Sequence, residues 1–216
     1  MATAKSVSVA TAEKWALPAQ QARSRATRER LLSAAERVFA DKGYDGAKLS
    51  DIAEVAGCSV GAVYFRFKDK DALFLAIAET FAAESRAGFA GFARSAAALA
   101  PDDIVRGFVL RIAANMRTHR GLFRAIIERG LDHPDVIKLV FKFRDQVAIG
   151  LEALLRERMA KGDEIGRAVR VMTQIVYGFL LVGILNPHAP TRLDDEESIL
   201  ALANAASAYF KTVPKS

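Results

Sequence analysis

The run "LSDIAEVAGCSVGAVYFRF", residues 49–67, restricts the fold of this chain more than any other stretch. Leu49, Ile52, Ala53 and Ala56 recur at the spacing of one helix face and predict a two-turn helix. Gly57 stands where a left-handed residue ends such a helix, and Ser59 stands where a hydroxyl caps the next. That next helix is expected from Val60 to about Phe67. Only Gly57, Cys58 and Ser59 separate the two, so the helices must cross at a steep angle. This is the signature of a helix-turn-helix.

The second helix carries more aromatic surface than it can hide. Val63 and Phe67, four apart, are expected to face inward against Ile52 and Val55. Tyr64, Arg66 and Lys68 are left near the outer end, with the small residues Gly61 and Ala62 on the exposed first turn. Small residues allow close approach to another surface, while basic groups and a tyrosine hydroxyl can meet phosphates. A helix so composed suits the DNA major groove, which is wide enough to admit it.

Helical patterns flank this pair. In "TRERLLSAAERVFADKGYDGA", Leu31, Leu32, Ala35, Val38 and Phe39 form one stripe, with Thr27 as the expected cap and Gly43 as the stop. A longer helix follows from Asp69, with Leu73, Ile77 and Phe81 on one side. Five more helical stretches, beginning near residues 102, 121, 134, 163 and 194, are punctuated by Pro101, Gly121, Pro134, Gly162 and Pro187. No stretch alternates with period two, so the expected fold is all-α. Residues 1–22, rich in Ala, Ser, Thr and Gln, read as a flexible arm with Trp15 as a docking point. Residues 23–84 read as a three-helix DNA-binding domain with its motif at about 48–67, and residues 85–216 as a larger helical domain.

Composition narrows the function classes. The net charge of +6 fits nucleic acid, an anionic membrane or acidic ligands without choosing among them. A single cysteine, Cys58, excludes an internal disulfide and fits a reducing cytoplasm. Neither a secretory signal nor a membrane span is expected: the uncharged run from Val171 becomes polar after Leu185 and is interrupted by Thr173 and Gln174. His119, His133 and His188 lack metal-ligand spacing. The cluster of Glu128, Asp132, His133 and Asp135 around Pro134 reads as a loop with a helix cap. With no phosphate loop, nucleophile elbow or paired cysteines, no enzyme, catalytic residue, metal or cofactor is expected. Within residues 23–70, ten Lys and Arg against seven Asp and Glu leave a net charge of only +3. Nucleic-acid affinity would therefore come from placed contacts. Arg23, Arg25, Arg28 and Arg30 form the densest basic cluster, either a solvated terminus or an arm gripping phosphates or a minor groove.

These residues resemble the N-terminal domain of the TetR family of transcriptional regulators. The shared pattern is Ile52-Ala53, Ala56-Gly57, Ser59, Gly61, Tyr64, Phe67, Lys70 and Leu73, together with the preceding "RERLLSAAERVFADKGYDGA". The resemblance covers about residues 24–84. It implies a homodimer that inserts one such domain per subunit into successive major grooves of a (pseudo)palindromic operator. It also implies a C-terminal domain that holds a small effector and the dimer interface. Carried over by position, Tyr64 and Lys70 contact phosphates, Ser59 belongs to the motif, and Val60, Gly61, Ala62 and Phe65 sit near bases or sugars. Arg66 or Lys68 lies near the backbone. The chain departs from the pattern at Ala47-Lys48, where a hydroxyl cap is usual and Lys48 can meet a phosphate instead. It departs again at Val60 and Ala62, where Lys and a hydroxyl residue are common. Base readout is then expected to rest on thymine methyls and DNA shape. Cys58, in a usually aliphatic place, reads as a small filler or a redox sensor.

In such an effector domain, Phe108, Met116, Phe123, Ile127, Phe143, Met172 and Phe179 are the bulky residues expected to line a largely apolar pocket, although each also suits plain core. Arg111, Arg117 and His119 are candidate anchors for an acidic ligand. The last two long helices, with Gly178 and Gly183 for close approach, suit a four-helix interface between subunits, and an intramolecular core would explain them equally. The expected mechanism is repression relieved by ligand, coupled to the DNA head through the helix at about residues 70–89. The alternative is a helical effector-binding protein that no longer binds DNA.

Overall fold

The computed structural model of the chain describes residues 18–130, 134–159, 163–186 and 188–213. Among these residues there are nine α-helices and no strand. In chain order they are α1 (Pro18–Gly46), α2 (Leu49–Ala56), α3 (Val60–Tyr64), α4 (Lys70–Ser95), α5 (Pro101–Thr118), α6 (Arg120–Gly130), α7 (Pro134–Arg156), α8 (Asp163–Leu185) and α9 (Glu196–Lys211). A short 3-10 turn, Ala96–Ala98, joins α4 to α5.

The first helix starts earlier than its apolar stripe suggests. Pro18, whose fixed φ suits a first helical turn, is followed by Ala, Gln and Arg, which favour helix. Thr27 is consequently not a cap. It lies inside α1, where its hydroxyl donates to the Arg23 carbonyl at 2.9 Å. The expected arm overlaps α1 from Pro18 onward, and residues 1–17, with Trp15, lie outside the described residues. At the other end Gly43 breaks the helix as expected, with φ 71° and ψ 176°, a left-handed value that glycine adopts without strain.

The apolar stripe of α1 buries Leu31, Ala35, Val38 and Phe39 against Ile52 and Ala53 of α2, Val63 of α3, and Leu73, Phe74 and Ile77 of α4. This core is continuous with that of the larger bundle. There α5 packs on α9 and α7 on α8. The head also rests directly on the bundle, because α1 runs along α6. The approach is close at Gly121, where a Cβ would lie 1.9 Å from the Glu36 carbonyl oxygen.

The α8 stretch Glu164–Leu185 is long and apolar enough to cross a membrane by length and composition, unlike the shorter reading of its uncharged run. Packing in the bundle accounts for one apolar face of it. Ile165, Ala168, Val169, Met172, Val176 and Leu180 recur at helical spacing and are buried in the bundle.

Candidate nucleic-acid interface

Local rules build the helix pair. Asp51, three residues after Lys48, accepts from the Lys48 backbone N–H at 3.2 Å, which satisfies one free donor at the start of α2 where no hydroxyl cap is present. The same carboxylate pairs with Lys42 at 2.9 Å. These two bonds, the one from Lys42 first, hold its pKa below the ordinary value. Gly57 ends α2 at φ 65° and ψ 44°, and Cys58 N–H donates to the Ala53 carbonyl at 3.0 Å. Ser59 Oγ then accepts from Ala62 N–H at 3.2 Å and starts α3. Both turn assignments made from the sequence are therefore observed.

The end of α3 differs from expectation. The helix stops at Tyr64 rather than near Phe67, because Arg66 N–H closes a tighter turn onto the Val63 carbonyl at 2.9 Å. The turn still carries Phe67 inward beside Val63, and both are buried. Val55, the other expected inward partner, is exposed. What remains outward is an apolar row: Val60, Gly61, Tyr64 and Phe65 are all exposed, and the Phe65 ring is 84% exposed. Lys68, Lys48 and Arg25 are exposed cations that can meet phosphates, and Ala62 is half-buried.

Three expected contact residues are already engaged. Ser59 spends its hydroxyl on the cap. Arg66 folds back, donating to the Ala62 carbonyl at 3.1 Å and lying 5.6 Å over the Phe65 ring. Lys70 turns inward. Its ammonium donates to the carbonyls of Tyr44 at 2.7 Å, Ala47 at 3.0 Å and Asp45 at 3.5 Å, and sits 4.4 Å over the Tyr44 ring. Burial holds its pKa below the usual lysine value. Lys70 thus ties α4 to the turn after α1, where three of the chain's carbonyls need a donor.

Sequence reasoning missed the residues that seat this head on the bundle. Arg124 of α6 donates to the carbonyls of Ala40 and Asp41 at 2.8 and 3.2 Å, capping the end of the straight part of α1. It also pairs with Glu128 at 2.8 Å, and Glu128 accepts from Tyr44 N–H at 2.6 Å. Tyr44 donates its hydroxyl to Asp71, which also accepts from Arg129 at 3.1 Å. Glu128, expected in a loop, is therefore on a helix and grips the Gly43 turn. Of its expected loop neighbours, Asp132 and His133 lie outside the described residues. The bonds from α6 to α1 and α4 join residues 58 to 84 apart, so no local pattern announces them.

His119 completes the seam, with Nδ1 2.9 Å from Glu36 of α1, Nε2 3.8 Å from Glu84 of α4, and its ring edge-on to Phe81. The bond to Glu36 raises its pKa above 6.5, and burial opposes the rise only in part. A raised folded-state pKa stabilises below the unfolded value, and that contribution disappears as pH rises through the folded value. The melting temperature is therefore expected to fall between pH 6 and pH 8.5. His119→Gln should flatten that slope, which thermal melts across the range will check.

Of the seven residues expected to line an effector pocket, three share a small cavity. Phe108, Met116 and Phe123 line a cavity between α4, α5, α6, α7 and α8, together with Phe81, Phe89, Arg111 and Tyr177. Its volume is about 30 Å³, room for about one water. Met172 is buried in the core, Ile127 and Phe179 are half-buried away from this lining, and the Phe143 side chain lies outside the described residues. Arg117 is exposed on α5, and His119 is committed to Glu36. Cys58 is half-buried against the core of the head. No group of His, Cys, Asp and Glu able to hold a metal is found among the described residues.

Comparison with known proteins accounts for this arrangement. Residues 31–77 match the family model described as bacterial regulatory proteins, tetR family. Over 113 residues the chain is 38% identical to the HTH-type transcriptional repressor Rv1474c of Mycobacterium tuberculosis, a match spanning 50% of this chain and 60% of that protein. It is 44% identical over 57 residues to the HTH-type transcriptional repressor AcnR of Corynebacterium glutamicum, spanning 26% of this chain and 30% of the relative. The matches thus span less than two thirds of these curated relatives. Fold likeness extends further. A TetR-family regulator from Mesorhizobium loti superposes with a TM-score of 0.70 at 18% identity, covering 88% of this chain and 97% of its own. The TetR-family regulator SCO4454 from Streptomyces coelicolor gives 0.69 at 23% identity, covering 92% and 96%. Residues 31–77 thus carry the helix-turn-helix domain that the tetR-family model describes, and the whole chain shares its all-helical fold with these solved structures.

Proposed function

We propose that this chain is a sequence-specific DNA-binding repressor, acting as a homodimer and released from its operator by a small, largely apolar ligand. The observation that carries the reading is the division of labour in α3. Val63 is wholly buried, while Val60 and Tyr64 on the same short helix and Phe65 just after it are left exposed. A helix that leaves so much apolar surface in water while holding its own core has a face prepared for a partner. Lys68, Lys48 and Arg25 stand exposed as phosphate contacts, and Lys68 replaces the engaged Lys70 in that role.

Dimerisation is supported by the outer face of α8, where Val171, Ile175, Val182 and Leu185 are exposed in helical register and Leu200 of α9 is exposed as well. Gly178 lies in that row with open space around it. A ligand would enter at the cavity. Any effector larger than a water must part its walls, and one wall residue, Phe123, precedes Arg124 on α6. Displacing α6 loosens the grip of Arg124 and Glu128 on α1. The route from ligand to DNA thus runs through α6 as well as α4, which Lys70 and Asp71 join to the same turn.

The test is fluorescence anisotropy of the full-length protein on a duplex selected from random DNA, against a scrambled duplex, across a salt series. The selected duplex is expected to bind at least about 1,000-fold more tightly. Lys68→Ala is expected to weaken both complexes and to reduce the salt slope by roughly one per subunit. Equal affinity for both duplexes would refute the reading.

A further inference from the structure

We infer that α3 reads the C5-methyl groups of pyrimidines in the major groove, with Phe65 as the principal contact, and so accepts 5-methylcytosine where it accepts thymine. This rests on the DNA-binding reading and adds to it the chemistry of the bases recognised.

The outward face of this helix and its following turn is poor in groups that hydrogen-bond base edges. Bidentate readout of a base pair, the most discriminating kind, takes a side chain that presents two polar atoms to the base edge, such as Arg to guanine or Asn to adenine. Val60, Gly61 and Phe65 have none. Ser59 has spent its hydroxyl on Ala62 N–H. Arg66 has the right group in the wrong place: its guanidinium is bonded to the Ala62 carbonyl, and its Nε is buried without a partner. Tyr64 offers a single hydroxyl, suited to one phosphate oxygen.

What the face presents instead is Phe65, the most exposed large apolar side chain among the described residues, beside the half-exposed Val60. Arg66 lies over its ring at 5.6 Å, a cation–π contact that restrains the ring on the outside of the turn. Gly61 next to Val60 has no Cβ and nothing nearer than 3.8 Å to one, so the helix can approach a groove floor closely there. The apolar feature of that floor is the thymine C5-methyl, which cytosine lacks. Methylation of cytosine at C5 puts the same group in the same place. An apolar reader with no donor or acceptor cannot tell the two methyl groups apart.

The experiment uses full-length protein and the duplex it selects from a random library. Affinity is measured for that duplex, for versions with each thymine replaced by deoxyuridine, and for versions with T·A replaced by C·G or by 5-methylcytosine·G. At contacted positions deoxyuridine should weaken binding about fourfold per methyl group, the value of one buried methylene. There, 5-methylcytosine should bind more tightly than cytosine by the same factor. Phe65→Ala, at a position too exposed to unfold the head, should erase both differences. If no deoxyuridine weakens binding, or if Phe65→Ala weakens thymine and deoxyuridine duplexes equally, the methyl reading is wrong while DNA binding stands. If no duplex is selected at all, both readings fall together.

Discussion

Gly121→Ala is expected to destabilise the protein by more than about 3 kcal/mol, at the upper end of what overpacking costs. The added Cβ would lie 1.9 Å from the Glu36 carbonyl oxygen, 2.8 Å from its carbon and 2.9 Å from the Ala40 nitrogen. All three atoms are backbone, so no side chain can swing aside, and α1 is held on its other faces by α2 and α4. The helix must move as a body or α6 must unwind. Gly91→Ala is the control. It is also inside a helix, with no neighbour closer than 3.9 Å to the new Cβ, and should stabilise by about 0.5–1 kcal/mol through helix propensity alone. Urea unfolding of both variants checks the pair. Loss of DNA binding by Gly121→Ala before global unfolding would show the α1–α6 contact holding the head in its working position.

The second large effect is expected at Tyr44. Tyr44→Ala should cost about 3–5 kcal/mol, the range for truncating a buried aromatic side chain. The ring stands 5.4 Å from Phe39 and 5.5 Å from Phe74, with Lys70 and Arg129 over its faces at 4.4 and 4.9 Å. Removing it leaves a cavity where α1, α4 and α6 meet. Tyr44→Phe keeps the ring and loses the hydroxyl's bond to Asp71 and its contact with Arg129, so it should cost about 1 kcal/mol. Thermal or urea melts distinguish the two. Equal losses would mean that the hydroxyl, and not the packing, holds the junction.

Much of the helix-turn-helix head was legible because its logic is local. Gly57 and Ser59 act within four residues of what they stop or start, and the stripe from Leu31 to Phe39 needs only the helical period. The early start of α1 was less legible, since Ala, Gln and Arg favour helix without an apolar stripe to announce it. The short end of α3 was missed because the 3-10 closure at Arg66 leaves Phe67 buried either way. Lys70 shows the limit of carrying a role by position: the same residue can face a phosphate or, as here, three carbonyls. The seam made by Arg124, Glu128, Arg129 and His119 was invisible, because each partner lies on a helix far away in sequence. The cavity beside α5 was half legible. Its aromatic residues could be named, but which faces of α5, α6 and α8 turn to one cavity depends on packing that no period encodes.

The most direct test of the account is hydroxyl-radical footprinting of the selected duplex by the full-length protein. Two protected patches about 10–10.5 base pairs apart are expected, one for each α3 of a dimer in successive major grooves. Both should vanish with Tyr64→Ala/Lys68→Ala at protein concentrations where the wild type protects fully. A single patch, uniform protection along the duplex, or protection that survives the double substitution would contradict the claim that a pair of these helices reads DNA.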